Sequence, residues 1–270
     1  MKIEKTKRFG EQEIKLMFAL EQEKSQVFTM AQARRMLGTS DASVKNVLKR
    51  LKRKRRVMLL QKGVYMFAPL RSGEEGLWTE NAFSVVPYLV GTGEYYLGFA
   101  AAMNYWGMTE QLPVTAYVAL TKQKQSLNAV QTKFVFVKKK RLGDFVKVPF
   151  AGTQVNISSM EQTILDALAF PKYCAGIESA AKAIWYTRDK IDWQKLLSLA
   201  KNEKSVVKRR LGYLLELLGL RKHAKWLERG FTGFSWLEPA GQKREFEYSK
   251  KWGLKINVRK DDLLEFRRGY

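Results

Sequence analysis

Residues Ser40 to Phe67 read SDASVKNVLKRLKRKRRVMLLQKGVYMF. Val44, Val47, Leu48 and Leu51 recur at i, i+3, i+4, i+7 spacing, so they share one face of a helix. Ser40 stands where an N-cap belongs. A turn of about 100° per residue carries Ala42, Lys45, Asn46, Lys49 and Arg53 to the opposite face. That face holds small, amide and cationic side chains and no carboxylate. The helix then enters Lys49-Arg50 and Lys52-Arg53-Lys54-Arg55-Arg56. A few cations suit the negative end of a helix dipole. So many without an acid between them repel one another unless an anion lies against them, which favours nucleic acid. Val57 to Leu60 and Val64 to Phe67 are β-prone runs joined at Gln61-Lys62-Gly63, the pattern of a hairpin. The whole stretch reads as a recognition helix followed by a β-wing.

Its flanks complete the unit. Glu11 to Glu23 carries Ile14, Leu16, Met17, Phe18 and Leu20, enough for a first helix. Phe28 to Gly38 reads as a short second helix with Thr29 as N-cap and Gly38 as its stop. Helix, helix, tight turn, helix, hairpin is the winged helix-turn-helix order. The contact set expected on double-stranded DNA is Ser40, Ala42, Ser43, Lys45, Asn46, Lys49, Arg53, Arg55 and Lys62. Ser43, Lys45 and Asn46 would meet base edges, with Asn46 suited to an adenine, while Lys49, Arg53, Arg55 and Lys62 would grip phosphates.

The charge supports this. The 270 residues carry 49 Lys and Arg against 26 Asp and Glu, a net charge of +23. Residues 1–68 hold 17 of the cations and 6 of the acids, so about half the excess lies in a quarter of the chain. One cysteine, Cys174, rules out an intramolecular disulfide framework and points to the cytoplasm. No signal segment or run of roughly 18 apolar residues occurs, so no membrane partner is expected.

Beyond the wing, residues 69–76 hold Pro69, Ser72, Gly73 and Gly76 and form the expected linker. The second domain, 77–270, is expected to be a larger mixed α/β unit with a small sheet and several helices, which makes the whole chain α+β. A helix over Asn81 to Leu89, ended near Pro87, and another over Tyr95 to Met108 with Trp106 as a core anchor, are predicted. Strands are predicted at Val114–Leu120, Lys133–Val137, Phe145–Val148 and Gln154–Ile157, the first three as a meander. Lys138 to Arg141 lies at a turn, as a solvated loop or a second phosphate contact. Ser158 and Glu161 have capping-box spacing ahead of a helix to Leu168. Further helices are predicted over Ile177–Thr187, Trp193–Ala200, Val206–Leu218 and Lys222–Arg229, and strands over Glu245–Tyr248 and Leu254–Val258. Lys208, Arg209 and Arg210 fall together near a helix start, as a second anion-binding patch or as cations paired within the domain.

No catalytic constellation stands out. A Ser-His-Asp or Cys-His arrangement would need His223, which sits among surface-type residues. One histidine and one cysteine do not make a zinc site. Phosphate-loop and dinucleotide motifs are missing. After residue 68 no acid stands two positions before a lysine, as a metal-dependent nuclease would require. Glu161 reads as a cap, Asp166 as a polar-face residue and Asp261-Asp262 as a solvated turn. No catalytic residue, metal ligand or cofactor is expected. A nucleic-acid-processing enzyme that uses the winged helix for delivery, and a scaffold for an acidic protein, remain as alternatives.

Four motifs in order resemble the AbiEi family of type IV antitoxins and transcriptional regulators: Phe99 to Pro113, Ile157 to Leu168 with Pro171 and Gly176-Ile177, Val207 to Gly219, and Leu237-Glu238-Pro239 with a strand ending at Asn257. The resemblance implies a DNA-binding N-terminal domain that represses its own operon at inverted repeats. It also implies a C-terminal domain that opposes a nucleotidyltransferase-like toxin, without requiring direct contact. Two copies on DNA, from a monomer or weak dimer, would follow; a stand-alone regulator without a toxin is a further alternative. The basic character of the C-terminal part departs from the pattern and leaves a second nucleic-acid contact open.

Overall fold

The caps fix the first unit. A computed structural model describes residues 8–24, 26–73, 82–150, 153–228, 230–242 and 244–267. Helix α1 (Glu11–Gln22) leads to strand β1 (Val27–Thr29) and helix α2 (Met30–Leu37). Thr29 caps α2 by accepting from the Gln32 N–H, and Gly38 ends it at φ 65°, a left-handed conformation that glycine adopts without Cβ strain. Helix α3 (Asp41–Arg53) starts at Ser40, whose hydroxyl accepts from the Ser43 N–H at 3.3 Å. Strands β2 (Val57–Gln61) and β3 (Val64–Phe67) turn at Lys62-Gly63, with Gly63 at φ 78°. The sheet order is β1-β3-β2, all antiparallel. This is a winged helix-turn-helix. Its core is the predicted stripe, Val44, Val47, Leu48 and Leu51, packed with Leu16, Leu20, Phe28 and Phe67.

The chain divides into two compact units. The first takes in residues 1–92 together with 129–131 and 150–153; the second holds the remainder. Of the expected linker, 69–73 are described and form a short 3-10 turn at Leu70–Ser72, while 74–76 lie outside the described residues, as do Leu77, Asn81 and most of the basic 1–9 segment. Residues 82–92 join the first unit through Gln61 at the wing, whose side-chain amide donates to the Tyr88 carbonyl at 2.7 Å. The helix predicted over Asn81–Leu89 is instead a 3-10 turn, Ala82–Val85, followed by α4 (Val86–Val90). Pro87 lies in the first turn of α4 and does not end it, because the N–H it lacks has no helical partner there.

The second unit is mixed α/β, as expected. Its six-stranded sheet follows β4 (Tyr95–Gly98), α5 (Phe99–Tyr105), β5 (Thr115–Leu120), β6 (Leu127–Ala129), β7 (Thr132–Lys138), β8 (Phe145–Phe150) and β9 (Thr153–Ser158), with spatial order β6-β7-β5-β4-β9-β8. The predicted helix over Tyr95–Met108 is therefore a strand and a short helix. Phe99, at φ 57°, makes the corner between them. The predicted meander is also wrong: β5 and β7 are parallel neighbours, and β8 stands at the far edge beside β9. Trp106 is half-buried against the core and its indole donates to the Ser158 carbonyl at 2.8 Å.

Helix α6 (Met160–Ala169) is buried on every side from Glu161 to Leu168, packed by α5 and by α7 (Ile177–Thr187), α8 (Trp193–Lys201) and α9 (Ser205–Leu217). Its cap is Ser159, not Ser158; the Ser158 hydroxyl bonds Thr163 at 2.7 Å instead. The helix expected over Lys222–Arg229 is α10 (Arg221–Ala224) plus a 3-10 turn to Leu227, and Arg229 lies outside the described residues. A small second sheet, β10-β12-β11, gathers β10 (Ser235–Trp236), β11 (Glu247–Ser249) and β12 (Leu254–Ile256), and α11 (Lys260–Leu263) follows. The tail strands were expected; β10 was not. No helix among the described residues is long and apolar enough to cross a membrane.

Candidate nucleic-acid interface

The basic run at the end of α3 separates into two groups. Glu13 of α1 is fully buried. It accepts from Arg50 Nε at 2.8 Å, from Lys54 Nζ, and from the Gly10 N–H at 2.9 Å. Burial alone would raise its pKa, but the bonds from Lys54, Gly10 and Arg50 outweigh that and hold the carboxyl below its ordinary value. Arg56 is buried as well and donates to the Pro69 carbonyl at 3.2 Å. Arg50, Lys54 and Arg56 thus serve the fold. The acid that neutralises two of them comes from a helix some forty residues away, so local sequence did not reveal it.

The other group faces outward. Ser40, Ala42, Ser43, Lys45, Asn46, Lys49, Arg53, Arg55 and Lys62 are all exposed. Lys45, Lys49, Arg53 and Lys62 make no ion pair among the described residues. Helical geometry places Ala42, Lys45, Asn46, Lys49 and Arg53 along one stripe of α3. Lys52, named in the basic run but outside the expected contact set, is exposed at the edge of that stripe, also without an ion pair among the described residues. Arg55 sits at φ 58°, where its N–H closes a turn onto the Lys52 carbonyl at 3.1 Å. Asp41, the acid nearest the stripe, is engaged by Arg34 at 3.4 Å. The Ser40 hydroxyl is occupied as the cap, and Ser43, Lys45 and Asn46 are the exposed polar side chains of the first turns of α3.

Two of the three residues of the candidate second anion patch are buried. Arg209 and Arg210 are only 7% and 4% exposed. Arg209 donates to the carbonyls of Thr232 and Gly233 at 2.7 Å each and of Gly253 at 2.9 Å. Arg210 donates to Leu168 at 2.6 Å and Trp236 at 2.9 Å, and burial lowers its pKa to about 10. Their guanidinium forks satisfy the carbonyls of irregular backbone, a role that spacing alone does not distinguish from anion binding. Lys208 is half-buried and donates to the Lys201 carbonyl at 3.3 Å.

The loop at Lys138–Arg141 is part core. Lys139 reaches back to Asp166 at 2.5 Å and to the Tyr96 hydroxyl at 2.7 Å, and Tyr96 donates to the other Asp166 oxygen at 2.7 Å. Asp166 is 1% exposed, not the polar-face residue its spacing suggested. Burial, then the charge of Asp166, pushes the Tyr96 phenol far above its ordinary range. Glu161 accepts from the Asp192 N–H at 3.2 Å and pairs with Lys195 at 3.4 Å. No group of three or more His, Cys, Asp or Glu that could hold a metal occurs among the described residues.

The fold has a solved counterpart. Over 97% of each chain it is similar to the crystal structure of the RV2827C protein from Mycobacterium tuberculosis, with a TM-score of 0.73 at 14% identity. At that identity the likeness carries the fold alone. No family model and no curated protein matches the sequence.

Proposed function

We propose that this protein is a sequence-specific DNA-binding regulator. The observation that carries the reading is the outer stripe of α3: cationic, amide and small side chains, exposed and without ion pairs among the described residues, with Lys52 at its edge, while Arg50 and the following Lys54 are committed to Glu13. In a winged helix-turn-helix this helix enters the major groove and the wing tip, here Lys62, reaches the flanking backbone. Asn46 offers the bidentate amide that suits an adenine edge. The order of motifs across the second unit, which resembles AbiEi antitoxins, supports a second role, opposing a toxin encoded beside it.

The test is an anisotropy titration against the DNA upstream of its own gene, with scrambled duplex as competitor, at two salt concentrations. A preference of about a thousandfold is expected. Asn46→Ala should cost about 1–3 kcal/mol on the preferred duplex and relax one position of it. Equal, salt-steep binding to both duplexes would refute operator recognition. Co-expression with the neighbouring gene product tests the antitoxin role: unrelieved growth arrest would exclude it.

A further inference from the structure

The second unit carries a cavity of about 550 Å³ between α8, the start of α9 and the turn after α10. Residues from one face of α8 form one wall: Trp193 and Leu197, with Lys201 one turn further on. His223 lies flat against Trp193, ring centroids 4.0 Å apart and planes 12° from parallel. Trp226 also lines the cavity and is 76% exposed, an unusual position for the largest apolar side chain. Lys201 makes no ion pair among the described residues, and Lys208 uses one of three ammonium donors on the Lys201 carbonyl. No carboxylate is among the described residues that line the cavity.

We propose that this cavity binds an unpaired nucleotide, its base stacked on Trp226 and its phosphate held by Lys201 and Lys208. Several features select that chemistry. Aromatic faces with flanking cations and no acid match a planar base joined to an anion. A lone aliphatic ligand would leave the two ammonium groups without a partner, and an inorganic anion would leave the indole of Trp226 in water. Burial, then the charge of Lys222, lowers the pKa of His223, and its ring adds a flat wall to the Trp193 stack. The site lies wholly within the second unit and does not depend on the α3 stripe.

The nucleotide has two possible sources, a single strand or a free mononucleotide. The experiment uses the full chain with a labelled single-stranded oligonucleotide, unlabelled AMP as competitor, and a labelled duplex in parallel. Trp226→Ala should weaken single-strand binding by about tenfold, with duplex binding within about twofold of wild type. Lys201→Glu should do the same, and Trp226→Phe should restore most of the affinity. Because Trp226 is largely exposed, its replacement leaves the melting temperature unchanged, which a thermal melt checks. Displacement of the strand by AMP would assign the site to free nucleotides; resistance to AMP would assign it to a strand segment. Single-strand binding unchanged in both Trp226→Ala and Lys201→Glu, or no binding of either probe by the wild type, would overturn the proposal.

Discussion

Lys49-Arg50 and Arg53-Lys54 are adjacent pairs in one basic run, yet their members should give opposite phenotypes when replaced by alanine. Arg50 and Lys54 share the buried carboxylate of Glu13. A hydrogen bond to a charged group contributes about 1.5–3 kcal/mol. Each single replacement leaves Glu13 with the other cation and the Gly10 N–H, so each should cost about that much. Removing both strands a buried charge, and the cost should rise to about 3–5 kcal/mol. In a unit of this size each kcal/mol lowers the melting temperature by about 4–8 °C. Lys49 and Arg53 touch no acid among the described residues, so Lys49→Ala and Arg53→Ala should change stability by less than about 0.5 kcal/mol. They should instead make the salt dependence of duplex binding shallower by about 0.9 for each phosphate lost. Thermal melts and salt-dependent anisotropy on all four variants separate the two effects. Melting temperatures lowered in Lys49→Ala and Arg53→Ala as much as in Arg50→Ala and Lys54→Ala would refute this division of the run. A changed salt slope with intact stability in the latter pair would refute it as well.

Three further expectations follow from the packing. Lys139→Ala leaves Asp166 buried with only the Tyr96 hydroxyl and the Gln162 amide as donors, and should cost about 3–5 kcal/mol in denaturant unfolding; adding Asp166→Asn should recover part of that loss. Gly212→Ala would set a methyl 2.0 Å from the Trp252 ring, so it should destabilise by about 1–3 kcal/mol or more, read from the unfolding midpoint. The pKa of Glu13 is depressed on folding. The stability it contributes is therefore present above its unfolded value near 4.5 and lost as pH falls through the lower folded value. Melting temperature measured through that acid window should fall less steeply in Glu13→Gln than in the wild type.

The winged helix was legible because its signals are local. Thr29, Gly38 and Ser40 act within a few residues of themselves, and the Val44–Leu51 stripe follows a fixed period. Strand β1 escaped because three residues running straight into an N-cap show no alternation. In the second unit the failures are tertiary. Tyr95–Gly98 joins a strand because β5 and β9 flank it, although its small and aromatic residues continue smoothly into α5. Arg209 and Arg210 read as a surface patch because their acceptors are carbonyls supplied from as far off as Gly253. The cavity lined by Trp193, His223 and Trp226 draws on separate helices, and no spacing rule joins them.

The reach of Arg209 and Arg210 also sets an order of events during synthesis. The core of the winged helix closes with Phe67, so it can assemble while most of the chain is still being made. Helix α9 emerges long before the carbonyls of Thr232, Gly233, Trp236 and Gly253 that its two guanidiniums require. The winged helix can therefore form its α3 surface before the acceptors that Arg209 and Arg210 require have been made. A ribosome stalled before Gly253 would carry a finished winged helix tethered to an unfinished, arginine-bearing partner.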